Sequence, residues 1–384
     1  MPTRLHAIVI GSILLQAPFL DQAAAQVPTR ARAFQQLAEP PVPSDPLELV
    51  TGDAQPVQEV SQRAEIINLL VNAHRYSNVR AQPYDLKTTF TVSGSLSSGT
   101  WQEEDMSPGA GRYRWSVQGP GFSAVNMNLN RIFYSDQQAT GLPLRLIQFR
   151  EAIFYTQPVV GPRATLRTAT GTLNGVNLTC ALVARDATVP AGTGGRQWEE
   201  EEYCVDPNAG TLITYSQAPG SYVLYDYSKG LRFHGKLIAN GFTITEAGQT
   251  IIEAQTESLA DPVNNPAAFQ TAGLNQIGVG PVMSPAWRSQ INLPSPILAP
   301  GATEPAATSQ IVMLHGVQAP DGQLLNLEVL ASSDPSLNQP ALADAAKWHG
   351  GRMGPETGAT PQSHEIMTMV VFSNPPQANA AALN

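Results

Sequence analysis

Tyr84 to Tyr134 reads YDLKTTFTVSGSLSSGTWQEEDMSPGAGRYRWSVQGPGFSAVNMNLNRIFY. Apolar and polar residues alternate along it, and Gly, Pro, Asn and Ser interrupt it at short intervals. A period of two sends neighbouring side chains to opposite faces of a strand, and the interruptions supply the turns. The spacing predicts short strands at Tyr84 to Gly94, Gly99 to Gln102, Gly111 to Gln118, Phe122 to Asn128 and Arg131 to Tyr134. The serine-rich Gly94 to Gly99 reads as a hairpin turn rather than as a Gly-x-Ser-x-Gly nucleophile elbow.

On the amino-terminal side, Val57, Val60, Ala64, Ile67 and Val71 recur at spacings of three and four, which predicts an amphipathic helix ending near Tyr76. On the other side, Leu142 to Phe154 has helical spacing in Leu146, Ile147, Phe149, Arg150 and Ile153. Strand patterns then resume at Ala164 to Ala169, Thr172 to Arg185, Gln197 to Val205 and Thr211 to Gln217. They continue at Tyr222 to Tyr227, Lys236 to Thr245 and Thr250 to Ser258. The sum is a helix-decorated antiparallel sheet of many strands, an α+β arrangement.

A second module follows residues 262–306, which are rich in Pro, Ala and Asn, include Trp287 and Arg288, and read as a linker. Ile311 to Val317 is an apolar run, Asp321-Gly322 is a turn signal, and Leu325, Leu327 and Val329 alternate with polar residues. Asn338 can cap a helix that tolerates Pro340 in its first turn. Leu337, Ala341, Leu342, Ala345 and Trp348 share one side of that helix, and Glu365 to Phe372 is a strong last strand. The expectation is a small ββαβ sheet covered by one helix.

Two resemblances accompany these patterns. The Asp321-Gly322 turn, Val329 to Ser333, Leu337-Asn338 with Ala341, Trp348 and Ile366 to Phe372 resemble the TonB carboxy-terminal domain family. That family implies strand-edge docking on an outer-membrane receptor or another envelope protein, here through Ile366, Met367, Thr368, Met369 and Val370. The longer region resembles the LolA-like half-barrel family of periplasmic lipoprotein carriers. The resemblance is carried by the amino-terminal helix, a Thr- and Phe-rich strand, Gly99-x-Trp101, Arg112-Tyr113-Arg114-Trp115, Cys204-Val205-Asp206-Pro207, and Tyr222, Tyr225, Asp226 and Tyr227. It implies an antiparallel half-barrel with helices, able to hold a lipid or acyl chain.

The 384-residue chain is 42% hydrophobic with a net charge of −9 and no basic run, which argues against a nucleic-acid partner. Arg4 and His6, the apolar stretch Ala7 to Leu20 and Ala23-Ala24-Ala25 read as a secretory signal peptide over residues 1–25. Its apolar stretch is short for a membrane span, and no other stretch is long enough. The expectation is an exported, periplasmic protein, membrane-anchored if the signal is not cleaved. Cys180 and Cys204, the two cysteines, then suggest one disulfide.

Neither a catalytic constellation nor a cofactor motif is legible. No histidine pair has helical metal-ligand spacing, and His364-Glu365 reads as a solvated strand end. Glu199 to Glu202 reads either as a site for a cation or a basic partner or, favoured by strand alternation, as a solvated hairpin. Trp101, Trp115, Phe122 and Phe149 either line a concave face that takes an apolar ligand or fill the core between sheet and helix.

The domain plan is a signal at 1–25, a leader at 26–55, the half-barrel at 56–261, the linker at 262–306, the TonB-like module at 307–374 and a tail at 375–384. The function expected first is a non-catalytic envelope adaptor that pairs with a partner strand, needing no cofactor or metal. The alternative is a periplasmic carrier of a lipid or lipoprotein acyl chain.

Overall fold

The computed structural model describes residues 54–136, 142–156, 158, 160–161, 164–184, 196, 200–280, 297–301, 310–349 and 362–372. The expected signal peptide, almost all of the leader, Trp198, Glu199, Trp287, Arg288 and the tail lie outside these residues. All described residues belong to one compact unit.

Strand β1 (Gln55–Pro56) leads to helix α1 (Val60–Asn72) and a 3-10 turn, Tyr76–Ala81. The predicted meander follows as β2 (Tyr84–Val92), β3 (Gly99–Gly109), β4 (Arg112–Gly119), β5 (Phe122–Leu129) and β6 (Ile132–Ser135). Helix α2 (Leu144–Phe154) precedes β7 (Thr165–Leu173), β8 (Val176–Ala184), β9 (Glu200–Asp206), β10 (Thr211–Ala218) and β11 (Ser221–Asp226). A two-stranded ribbon, β12 (Arg232–Phe233) with β13 (Lys236–Leu237), comes before β14 (Gly241–Glu246) and β15 (Gln249–Ala260). The rest is β16 (Asn275–Val279), β17 (Ile297–Leu298), β18 (Gln310–Gln318), β19 (Leu324–Ser332), helix α3 (Asn338–Lys347) and β20 (His364–Phe372).

Fourteen strands form one antiparallel sheet in the order β1-β7-β8-β9-β10-β11-β14-β15-β2-β3-β4-β5-β6-β16. Strong strand twist bends so long an open sheet into a half-barrel-like trough. The alternation seen in the sequence sets its inner face. Tyr84, Leu86, Phe90 and Val92 of β2 and Tyr113, Trp115 and Val117 of β4 are all buried at every second position. The expected strand over Thr172 to Arg185 starts later, because Asn174-Gly175, both at positive φ, turn the chain between β7 and β8.

The stretch read as a linker contributes to both sheets. β16 pairs with β6 at one border of the trough, and β17 runs parallel to β20. Only Ile277 and Val279 of β16 are large apolar residues, and both are exposed, so a border strand held by main-chain bonds left no periodic signal.

The carboxyl-terminal sheet has the order β17-β20-β18-β19. One face, with Val312, Leu314, Leu324 and Val370, packs on Ala341 and Ala345 of α3 as expected. The alternate residues Ile311, Met313, Met367, Met369 and Val371 share a core cluster with Leu144 of α2 and Ala218 at the end of β10. Gly220 lets the two bodies touch. A Cβ there would sit 2.4 Å from the Leu330 carbonyl oxygen, and its φ of +80° suits glycine. The small sheet therefore closes one end of the trough, where the β10–β11, β14–β15 and β2–β3 turns lie.

Candidate functional site

The inner face of the trough is aromatic. Phe90 stacks on Phe149 at 3.9 Å between centroids and on Trp101 at 5.7 Å; Trp101 lies 6.0 Å from Phe122, and Phe149 lies 5.6 Å from Phe242. Trp101 donates from Nε1 to Ser97 O at 2.9 Å, and its ring needs Gly119, where a Cβ would sit 2.1 Å from the indole. Trp101, Trp115 and Phe149 are fully buried, whereas Phe122 is half-buried at the margin of the same core. The four expected ligand contacts thus fill the space between sheet and α2.

Helix α2 is tied down by charges as well as by apolar residues. Arg150 meets Glu103 at 2.6 Å and Asp105 at 3.1 Å and lies 4.5 Å over the Trp115 ring. Tyr84 and Tyr113 both donate hydroxyl hydrogens to Asp105. Burial pushes the Glu103 carboxyl up to about 7 despite Arg150. At the other end of the helix, Arg145 meets Glu246 at 2.7 Å and Glu365 of β20 at 3.4 Å, with His315 Nε2 3.1 Å from Arg145 and 3.3 Å from Glu365. Burial alone would raise the Glu365 pKa, but the His315 hydrogen bond and Arg145 outweigh it and hold the group below its usual range. Glu365 is therefore an ion-paired junction between the two sheets, not part of a solvated strand end, and His364 beside it is half-buried.

The described part of the glutamate run is also buried rather than solvated. Glu200 takes Arg167 through Nε at 2.7 Å and Nη2 at 2.6 Å, Glu201 accepts from Tyr203 at 2.5 Å, and Glu202 lies 3.7 Å from Arg196. Its basic partners come from the same chain, from positions that strand alternation cannot reveal. Cys180 and Cys204, directly opposed on β8 and β9, form the expected disulfide. Glu202 lies beside them, but bonded sulfurs offer no thiolate to a metal.

Helix α1 is held differently. Only Leu70 is buried, Ile66, Ile67 and Leu69 rest on the main core half-buried, and Val60 and Val71, expected on the apolar side, are 81% and 50% exposed. Arg63 fastens the middle of α1 by donating to Gly161 O and Ala164 O at 3.0 and 2.9 Å. Past its end, His74 pairs with Thr211, and Tyr227 donates to His74 O at 2.8 Å.

The expected docking border falls inside the small sheet. Ile366, Met367, Thr368, Met369 and Val370 pair along their whole length with β18 on one side. On the other side Ile297 already pairs with Val370. Met367, Thr368, Met369 and Val370 are fully buried.

Fold and site together define an open antiparallel sheet whose apolar inner face is closed by two unequally seated helices. No protein-family model matches the chain, and no curated protein does. Among solved structures it is similar to a LolA superfamily protein from Nitrosomonas europaea, with TM-score 0.35 and 6% identity over 54% of this chain and 97% of that one. It is also similar to an outer membrane lipoprotein-sorting protein domain from Vibrio parahaemolyticus, with TM-score 0.31 and 8% identity over 49% and 91%. No helix of the described residues is long and apolar enough to cross a membrane.

Proposed function

We propose that this chain is an exported, non-catalytic binding protein that receives an apolar chain, such as a lipid acyl group, between α1 and the inner face of the sheet. One observation carries the reading. An aromatic trough is covered on one side by a helix with a single buried residue, and that helix turns half-buried Ile66, Ile67 and Leu69 toward the core. Lifting α1 breaks few contacts and exposes apolar surface that a chain of methylenes can cover. The interior is filled when α1 is down, so binding and lifting are one event. The buried disulfide supports an oxidising compartment.

Titration of the purified, delipidated chain with a fluorescent apolar probe such as N-phenyl-1-naphthylamine tests the reading. Saturable binding that a second disulfide, engineered to pin α1 down, abolishes is the expected result. A folded chain that takes up no probe overturns it.

A further inference from the structure

Arg75, Arg145, Arg150 and Arg167 are among the largest fully buried side chains. Three of them meet carboxylates: Arg145 at Glu246 and Glu365, Arg150 at Glu103 and Asp105, and Arg167 at Glu200. Arg75 meets none among the described residues. Its Nη2 donates to Val71 O at 2.7 Å and its Nη1 to Thr156 O at 3.4 Å; among the described residues its Nε has no hydrogen-bond acceptor, as is true of Arg145 and Arg150, but unlike them Arg75 has no carboxylate either. Ser77 Oγ, two residues on, also has no partner among the described residues.

A guanidinium stays protonated, and a buried cation without a counter-charge is costly. The Val71 carbonyl belongs to the negative end of α1 and offsets part of that cost. Burial lowers the Arg75 pKa, and the groups that oppose it are Tyr225, Tyr203 and Tyr227 rather than an acid. The other buried arginines show what this fold does with a guanidinium it means to neutralise itself.

Other cationic groups lie nearby. Arg80, at the far end of the same 3-10 turn, is exposed, makes no ion pair among the described residues, and lies 5.5 Å over Phe154 and 5.9 Å over Tyr155. Burial and then the charges of Lys236 and Arg232 keep His74 below its usual pKa. His74, Arg75 and Arg80 lie at one end of the trough, in a chain of net charge −9. It is also the end opposite the small sheet, and the end at which α1 stops.

We propose that the ligand taken up under α1 bears an anionic head, a carboxylate or phosphate, and that Arg75 receives it with Arg80 at the approach. The inference rests on the binding reading above and adds the head group to it. A carboxylate or phosphate supplies the acceptor that Nε and Ser77 Oγ lack, in bidentate geometry suited to a guanidinium.

The test uses the delipidated full chain and three ligands with the same chain: oleate, oleyl phosphate and oleyl alcohol, each displacing the apolar probe. At least one anionic ligand should bind about tenfold or more tightly than the alcohol. The tighter of the two then identifies carboxylate or phosphate. Arg75→Gln should erase the preference, and Arg80→Gln should weaken it. Equal affinity of all three ligands for the unsubstituted chain overturns the head-group assignment and leaves the binding reading standing. Failure of all three to bind overturns both.

Discussion

Helices α1 and α2 close the same inner face, yet one rides on it and the other is sunk into it. Every residue of α2 except Ile147 is buried, and its two arginines are matched by four carboxylates from β3, β14 and β20. Helix α1 buries only Leu70, rests on the core through half-buried Ile66, Ile67 and Leu69, and is tied by Arg63. Length and apolar content do not separate the two helices; satisfied buried charge does. A helix with paired charges inside a core cannot leave without stranding them, whereas a helix held by half-buried aliphatic residues leaves at little cost.

That contrast can be broken most sharply at Arg150. Arg150→Met should destabilise the fold by about 3–5 kcal/mol, because Glu103 and Asp105 lose their shared cation inside the core. Urea denaturation at neutral pH reads the loss, and a change below about 1 kcal/mol would remove charge pairing from the account of α2.

The next effect concerns pH. Glu103 titrates near 7 when folded against 4.5 for the free group, so the folded state holds a proton that the unfolded state has lost across that interval. Its contribution to stability is full below pH 4.5 and is lost as pH rises toward 7, by at most about 3 kcal/mol. Glu103→Gln should flatten this part of the stability profile. A profile with the same slope in the variant would place the proton elsewhere.

Leu70→Ala, which removes the one buried side chain of α1, should cost about 2 kcal/mol, at the low end for a core leucine because a lightly seated helix can settle into the gap. Smallest of all, Val60→Asp should change stability by less than about 0.5 kcal/mol. A larger loss there would mean that the start of α1 is more firmly seated than its 81% exposure implies.

The meander from β2 to β6 was legible because half-buried strands write their period into the chain, as Tyr84, Leu86, Phe90 and Val92 do. So was α3, whose Ala341 and Ala345 form its buried side. The face of α1 was legible in part, since Val57 and Ile67 do rest on the core while Val60, Ala64 and Val71 are exposed. Helical spacing favours Val60 and Val71, but the helix touches the core mainly through its later turns, so Leu70 goes inside. The charge clusters were invisible for another reason. Glu200 finds Arg167, Glu103 finds Arg150, and Glu365 finds Arg145 across long separations, and a charged run looks solvated until its partners are placed. In the last module the apolar run, the Asp321-Gly322 turn and the helical spacing gave the order of strand, turn and helix, but not the packing of its second face on α2. Arg75 left no local mark, since nothing near it in the chain shows that its counter-charge is missing.

The position of β2 has a kinetic consequence. It gains β3 at once through the Ser95 to Ser98 turn, but its other neighbour is β15, with Val92 against Ile252 and Asp85 against Ala260. During synthesis the centre of the trough stays unzipped, its aromatic lining bare, until the chain has emerged past Ala260. Such distant pairing makes for slow closure, and an emerging intermediate that needs shelter from aggregation throughout that delay.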